Sequence, residues 1–175
     1  YSTTGTLQNV IAADDSWTTY TYDYWGRLVK FTDQRGKSTD YTYDILGRTL
    51  TETNPLSQTT TYVYNDGGCP SCGDSAGQLH SVTDPGNRTT YYEYDAMGRV
   101  KKITYSGSSD CVEFGYDSLG RRITMRDTRL PAADLGSQTF AWAYDIMDRV
   151  TSETYPDGNS IRYGFDVLGR RVTMT

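Results

Sequence analysis

One eight-residue pattern, aromatic-x-aromatic-Asp-x-x-Gly-Arg, recurs from one end of this 175-residue chain to the other. It reads Tyr20-Thr21-Tyr22-Asp23-Tyr24-Trp25-Gly26-Arg27 in its first full copy and Tyr41-Thr42-Tyr43-Asp44-Ile45-Leu46-Gly47-Arg48 in its second. A third copy starts at Tyr62-Val63-Tyr64-Asn65 and is interrupted. Further copies begin at Tyr92, Phe114, Trp142 and Tyr163, and Gly5-Thr6-Leu7 resembles the tail of an earlier one. The spacing is 21 residues from Asp23 to Asp44 and from Asp145 to Asp166, and 22 from Asp95 to Asp117. It stretches to 30 between Asn65 and Asp95 and to 28 between Asp117 and Asp145. The extra residues fall near 66–76 and near 129–136, in turns, where a stacked array tolerates insertion. A period this short limits the chain to small supersecondary units that share one continuous array.

Each copy has the physics of a β-hairpin. Side chains alternate along a strand, so aromatic residues two apart point to one face. The residues between them, such as Thr21, Thr42, Gly115, Ala143 and Gly164, are small or polar. Asp-x-x-Gly suits a short loop built on a type I turn: Asp bonds the turn backbone, and Gly takes positive φ. Asp148 stands in that glycine's place in one copy, and Asp tolerates the left-handed region. Arg followed by apolar residues then opens the return strand, as in Arg27-Leu28-Val29 and Arg99-Val100. A second turn closes the unit at Asp33–Gly36, Asn54-Pro55, Asp84–Asn87 and Pro156–Asn159. Two strands and two turns in about 21 residues leave no room for a helix of ten or more. The expected fold is all-β: tandem antiparallel hairpins forming one curled, elongated sheet, a single array over 1–175.

Composition narrows the function classes. Sixteen Tyr and 17 Gly suit pleated surfaces joined by tight turns, while only 36% of residues are hydrophobic, so any core is thin and aromatic. No apolar run approaches the roughly 18 residues of a membrane-spanning helix. A net charge of −5 supplies neither a basic footprint for nucleic acid nor a polybasic patch for a membrane surface. No signal peptide or anchor is visible between Tyr1 and Thr175.

The chemistry-bearing residues admit two readings each. In-register Asp and Arg could act as acid–base groups on a glycan, or Asp could form turns while Arg pairs with it or stacks on a ring. A catalytic site is normally one place, and this pair occurs in nearly every copy, so the structural role is preferred. The aromatic ladder packs the sheet, although outward rings could stack on sugar. Cys69-Pro70-Ser71-Cys72 is the feature that breaks the repeat. It could be half of a zinc site, a redox pair, a local disulfide or two free thiols. Zinc would need four ligands, and only His80 and Cys111 remain as imidazole or thiol candidates beside Cys69 and Cys72. His80 has no Ser or Cys at a recognisable spacing, so a nucleophile–base arrangement is not expected, and no cofactor is called for.

The repeated Tyr-x-Tyr-Asp-x-x-Gly-Arg, with spacers such as Asp84-Pro85-Gly86-Asn87 and Pro156-Asp157-Gly158-Asn159, resembles the YD-repeat or RHS-repeat family. That family includes bacterial RHS polymorphic toxins, the C components of insecticidal Tc toxin complexes, and teneurins. The resemblance implies a spiralling β-sheet that forms a hollow shell. In bacterial members such a shell encloses a toxic C-terminal domain, and in teneurins it supports an adhesion ectodomain. A secreted or cell-surface location, a cargo domain of the same parent chain as partner, and no catalytic activity are therefore expected. The shell's self-cleaving portion in RHS toxins has no counterpart that can be assigned here. An extracellular carbohydrate-binding or adhesion module is the alternative. Open edge strands lead us to expect self-association as well.

Overall fold

The computed structural model describes residues 9–11, 17–65, 77–130 and 138–175. Fifteen strands follow one another in these segments. They are β1 (Asn9–Ile11), β2 (Trp17–Tyr22), β3 (Leu28–Thr32), β4 (Ser38–Tyr43), β5 (Thr49–Thr53), β6 (Thr59–Tyr64), β7 (Leu79–Thr83) and β8 (Thr89–Tyr94). Then come β9 (Val100–Tyr105), β10 (Cys111–Tyr116), β11 (Arg122–Asp127), β12 (Thr139–Tyr144), β13 (Val150–Thr154), β14 (Ser160–Phe165) and β15 (Arg171–Met174). Their order in the sheet is their order in the chain, and the pairing is antiparallel. The expected all-β array of sequential hairpins is what forms. The described residues divide into two compact units, one reaching Asn65 and including Leu79–Thr89, the other holding Gln78 and Thr90–Thr175.

The first hairpin shows why the sequence folds this way. Tyr20 faces Phe31 and Thr21 faces Lys30, but Tyr22 faces Leu28, so Val29 is an extra residue on the return strand. The Asp23 amide donates to the Arg27 carbonyl at 2.9 Å, and the Gly26 amide donates to the Asp23 carbonyl at 3.0 Å. Gly26 sits at φ 79°, in the left-handed region that a type I turn followed by a bulge requires. The Asp23 carboxylate accepts the amides of Trp25 and Arg27, both at 3.0 Å, which holds the turn closed. The same register shift recurs at Tyr43, Tyr64, Tyr94, Tyr116, Tyr144 and Phe165. The interrupted copy keeps it too: Gly77 is at φ 85° and Tyr64 faces Leu79, so the insertion leaves the ladder intact. Asp148 takes φ 62°, as expected of an Asp in the glycine position.

Two of the closing turns show where Asn and Pro are used, and the second of them differs from the sequence reading. In the Asp84 turn it is Asn87, at φ 60°, and not Gly86 that enters the left-handed region. The turn chemistry requires positive φ only at its fourth residue, and Asn tolerates it there. The last closing turn begins at Tyr155, one residue earlier than expected: the Gly158 amide bonds the Tyr155 carbonyl at 2.9 Å. Pro156 thereby occupies the second position, where its fixed φ fits.

Within each unit a strand contacts its sequence neighbours. Among the described residues neither unit stacks a second layer on the sheet, and those that are buried are Ser81, Cys111, Val112 and Pro156. The Tyr-x-Tyr rings share one half-buried face with Phe31, Val82, Ile103 and Met125. The opposite face is rich in hydroxyls that pair across strands: Thr42 with Thr51 at 2.6 Å, Thr53 with Thr59 and Thr83 with Thr89 at 2.9 Å. Cross-strand pairs of this kind stabilise a sheet by roughly 0.2–1 kcal/mol each.

Gly115 opposes Thr124 in the register that Thr42 and Thr51 hold in the first unit. A Cβ at Gly115 meets only the Thr124 hydroxyl group, which can rotate away. The substitution Gly115→Thr is therefore expected to stabilise the protein by about 0.5–1 kcal/mol, through lower unfolded-chain entropy and a new hydroxyl pair. A urea midpoint that falls instead of rising would show that Thr124 cannot turn.

Candidate functional site

The repeated polar residues assemble into a clamp between consecutive hairpins. Arg27 Nε donates to Asp23 Oδ2 at 2.7 Å, within its own copy. Its guanidinium lies 4.9 Å from the ring centroid of Tyr43, in the next copy, and Nη1 donates to the Asp44 carbonyl at 2.7 Å. Tyr43 answers by donating its hydroxyl to the Leu28 carbonyl at 2.6 Å. One arginine thus ties a turn carboxylate, a neighbouring ring and a neighbouring carbonyl together, with a returning phenol bond. Arg48 repeats the stacking over Tyr64 at 4.4 Å.

In the second unit, Arg99 lies 4.4 Å from the Tyr116 centroid, and the Tyr116 hydroxyl donates to the Val100 carbonyl at 2.8 Å. Arg121 stacks on Tyr144 at 4.8 Å and donates to the Asp145 carbonyl at 3.0 Å and the Asp148 carboxylate at 2.8 Å. Arg149 stacks on Phe165 at 4.3 Å, a copy in which the ring has no hydroxyl to return. Gln78 replaces Arg in the interrupted copy and reaches the Gly98 carbonyl at 2.7 Å.

Electrostatics follow from this geometry. The Arg99 side chain, and then its backbone amide, hold the Asp95 carboxyl below the usual range against the opposing effect of burial. Arg149 does the same for Asp145. Asp95 Oδ1 accepts the amides of Met97 and Arg99 at 2.9 and 3.0 Å, and Oδ2 accepts Arg99 Nε at 2.7 Å. A carboxylate so engaged has little basicity left for proton transfer. The clamp is a structural device, as the sequence reading preferred.

Glu52 and Glu153 are functional candidates that the sequence reading missed. Four residues after the clamp arginine or its glutamine substitute stand Phe31, Val82, Ile103, Met125 and Met174, but also Glu52 and Glu153. Glu52 faces Tyr41 on one side and Thr60 on the other, so its carboxylate lies on the aromatic face. Burial, reinforced by Glu52, pushes the phenols of Tyr41 and Tyr62 up, and Tyr62 also hydrogen-bonds that carboxylate. Tyr155 donates its hydroxyl to Glu153 Oε2 at 3.1 Å. Subtracting one repeat from the next would have exposed both acids.

The cysteine–histidine set falls only in part on the described residues. Cys69 and Cys72 lie outside them. His80 stands half-buried in β7 of the first unit. Cys111 is a buried free thiol at the start of β10 in the second unit, its amide bonded to Thr128 Oγ1 at 2.8 Å. No three His, Cys, Asp or Glu side chains among the described residues are grouped to hold a metal ion.

The family model for the teneurin YD-shell matches residues 1–175, the whole chain. The chain belongs to the teneurin YD-shell family. Solved structures agree on the fold. The YD-shell segment aligns with the Photorhabdus luminescens Tc holotoxin pore at a TM-score of 0.70 and 19% identity, covering 93% of this chain and 9% of that one. It aligns with the crystal structure of TcdB2-TccC3-Cdc42 at a TM-score of 0.71 and 18% identity, with the same coverage. TcdB2-TccC3 without its hypervariable C-terminal region gives 0.70 and 18%, again over 93% of this chain and 9% of that one. This YD-shell segment therefore spans about a tenth of the length of the chains it matches. No curated protein matches it in sequence.

Proposed function

We propose that this chain is a stretch of wall in an encapsulating β-shell, non-catalytic itself, that encloses a cargo domain of its own parent protein for export or delivery. The observation that carries this reading is the uniform clamp. Arg27, Arg48, Arg99, Arg121 and Arg149 each bind the Asp of their own turn and stack on the following ring, so the repeated polar groups serve continuity of the sheet and are not gathered at one reactive place. Stability is then distributed and nearest-neighbour in character, which suits a long wall. Under this reading the parent is secreted or surface-associated, and its partners are the cargo and the adjoining repeats. Limited proteolysis of the full-length parent, with mass mapping, tests it. A non-repeat segment that survives only while the shell is closed is the expected result; flanking segments cut as freely as in the isolated state would exclude a container.

A second reading, an extracellular carbohydrate-binding or adhesion module, is favoured by the Glu52 carboxylate set between Tyr41 and Tyr62. Flat rings beside an acceptor are the usual means of stacking and hydrogen-bonding a sugar. Titration with oligosaccharides separates the two: saturable binding abolished by Tyr62→Ala supports the glycan module, and no binding to the folded chain excludes it.

A further inference from the structure

The turn that follows each Tyr-x-Tyr-Asp is anchored at its first and last residues, which leaves two central positions free of structural duty. Those positions accept almost any residue and are ordinarily polar in an exposed loop. In the second unit six of these eight positions are large, apolar and open to solvent. Met97 is 73% exposed, Leu119 71%, Ile146 98%, Met147 67%, Val167 100% and Leu168 74%.

These four turns stand at the same end of the strands, because each joins an even-numbered strand to the next odd one in a strictly sequential antiparallel sheet. They are also linked side by side: Arg121, leaving one turn, bonds both Asp145 and Asp148 of the next. At the other end of the same strands the closing turns carry Ser108, Ser109, Asp157 and Asn159. Among the described turn residues of the unit, one border is thus apolar and the other polar.

Six large apolar side chains, at roughly 100 Å² each, offer on the order of 600 Å² from one unit. That reaches the top of the roughly 300–600 Å² of the largest apolar patch on a typical soluble monomer, a feature that often serves a function. It approaches the ~800 Å² per partner of a stable protein–protein interface. None of the central turn residues in this row is charged; Ala96 and Ser118 complete it. A second identical row can therefore meet it without like-charge repulsion, and a two-fold arrangement sets the Met97 end against the Val167–Leu168 end.

We propose that this row of hairpin tips is a self-complementary seam whose occupant is the same row on a second copy of the chain. The seam stands whether or not the shell encloses a cargo. It competes with pairing through the open edge strand β15 (Arg171–Met174), and the two routes separate cleanly. Thr175 and Arg162 exchange both backbone bonds and Met174 faces Tyr163 in unbroken register, so by alternation the Met174 amide points away from the sheet. Met174→Pro then blocks edge pairing without removing a ladder bond.

Sedimentation velocity across a hundredfold concentration range tests the proposal on the 175-residue chain, its Ile146→Ser/Val167→Ser/Leu168→Ser variant and its Met174→Pro variant. The tip side chains contribute little packing, and unchanged circular dichroism would confirm that the variants fold; Ile146→Ser alone serves as the milder version. The expected result is a concentration-dependent dimer, weakened at least tenfold by the tip substitutions and unaffected by Met174→Pro. A monomer at every concentration, or a dimer abolished by Met174→Pro and indifferent to the tips, would overturn it.

Discussion

Tyr116→Ala is expected to lower the stability of the second unit by about 3 kcal/mol, and Tyr116→Phe by about 1 kcal/mol. The difference between the two follows from the clamp. Alanine removes the half-buried ring, the face on which Arg99 stacks at 4.4 Å, and the hydroxyl that bonds the Val100 carbonyl at 2.8 Å. A fully buried aromatic costs more on truncation, roughly 3–5 kcal/mol, and partial exposure places this one at the low end. Phenylalanine keeps the ring and the cation–π contact and loses only the neutral hydrogen bond. Phe165 shows that the fold accepts such a copy, since Arg149 still stacks on it at 4.3 Å. Urea unfolding followed by tryptophan fluorescence measures both variants. Equal losses would mean that the hydroxyl, and not the stacked ring, holds consecutive hairpins together.

Acid is expected to unfold the array steeply, beginning as the pH drops below the ordinary aspartate value of 3.8. Eight described aspartates have their carboxyls held below that value in the folded chain. For Asp95 and Asp145 the arginine side-chain hydrogen bond is the largest cause; for Asp44 and Asp117 the effect of burial runs the other way and is outweighed by the same arginine and amide bonds. A carboxyl whose folded value lies below its unfolded value contributes stability that is complete above the unfolded value. That contribution is lost as pH falls through the folded value. Stability is therefore flat from neutral pH down towards 3.8 and then declines with several protons taken up together. A near-ultraviolet circular dichroism titration reads this directly. Asp95→Asn, which keeps the acceptor for the turn amides but not the charge, should lower stability at neutral pH and reduce the proton uptake on unfolding. Indifference to pH 2 would mean that the ion pairs contribute nothing to stability.

Much of the local structure was legible because it depends on residue type at a fixed offset. Asp-x-x-Gly closes a turn wherever it stands, since the Asp carboxylate reaches amides two and four residues on and Gly supplies positive φ. The same reasoning anticipated Asp148. It failed by one residue at Tyr155, because Pro156 was taken to open the turn when its fixed φ belongs at the second position. In the Asp84 turn the positive φ falls on Asn87, the fourth residue, as it does on the glycine of Asp-x-x-Gly. Glu52 and Glu153 were available to inspection, but they emerge only when copies are compared position by position on the return strand, whose alternation is the weaker pattern.

The sequence by itself determined the hairpin, its bulged turn, the order of the strands and membership of a YD-shell array, because each depends on contacts within about 21 residues of chain. Only the tertiary structure decided where each arginine goes. Pairing with its own Asp four residues back and stacking on a ring were both open from the sequence. The register of the following hairpin lets one guanidinium do both, bringing Tyr43 over Arg27 and Tyr116 over Arg99. It likewise decided that the apolar pairs at the turn centres stand in a row, exposed, along one border. Exposure depends on the absence of a second layer over those turns, and no local rule of turn chemistry contains that information.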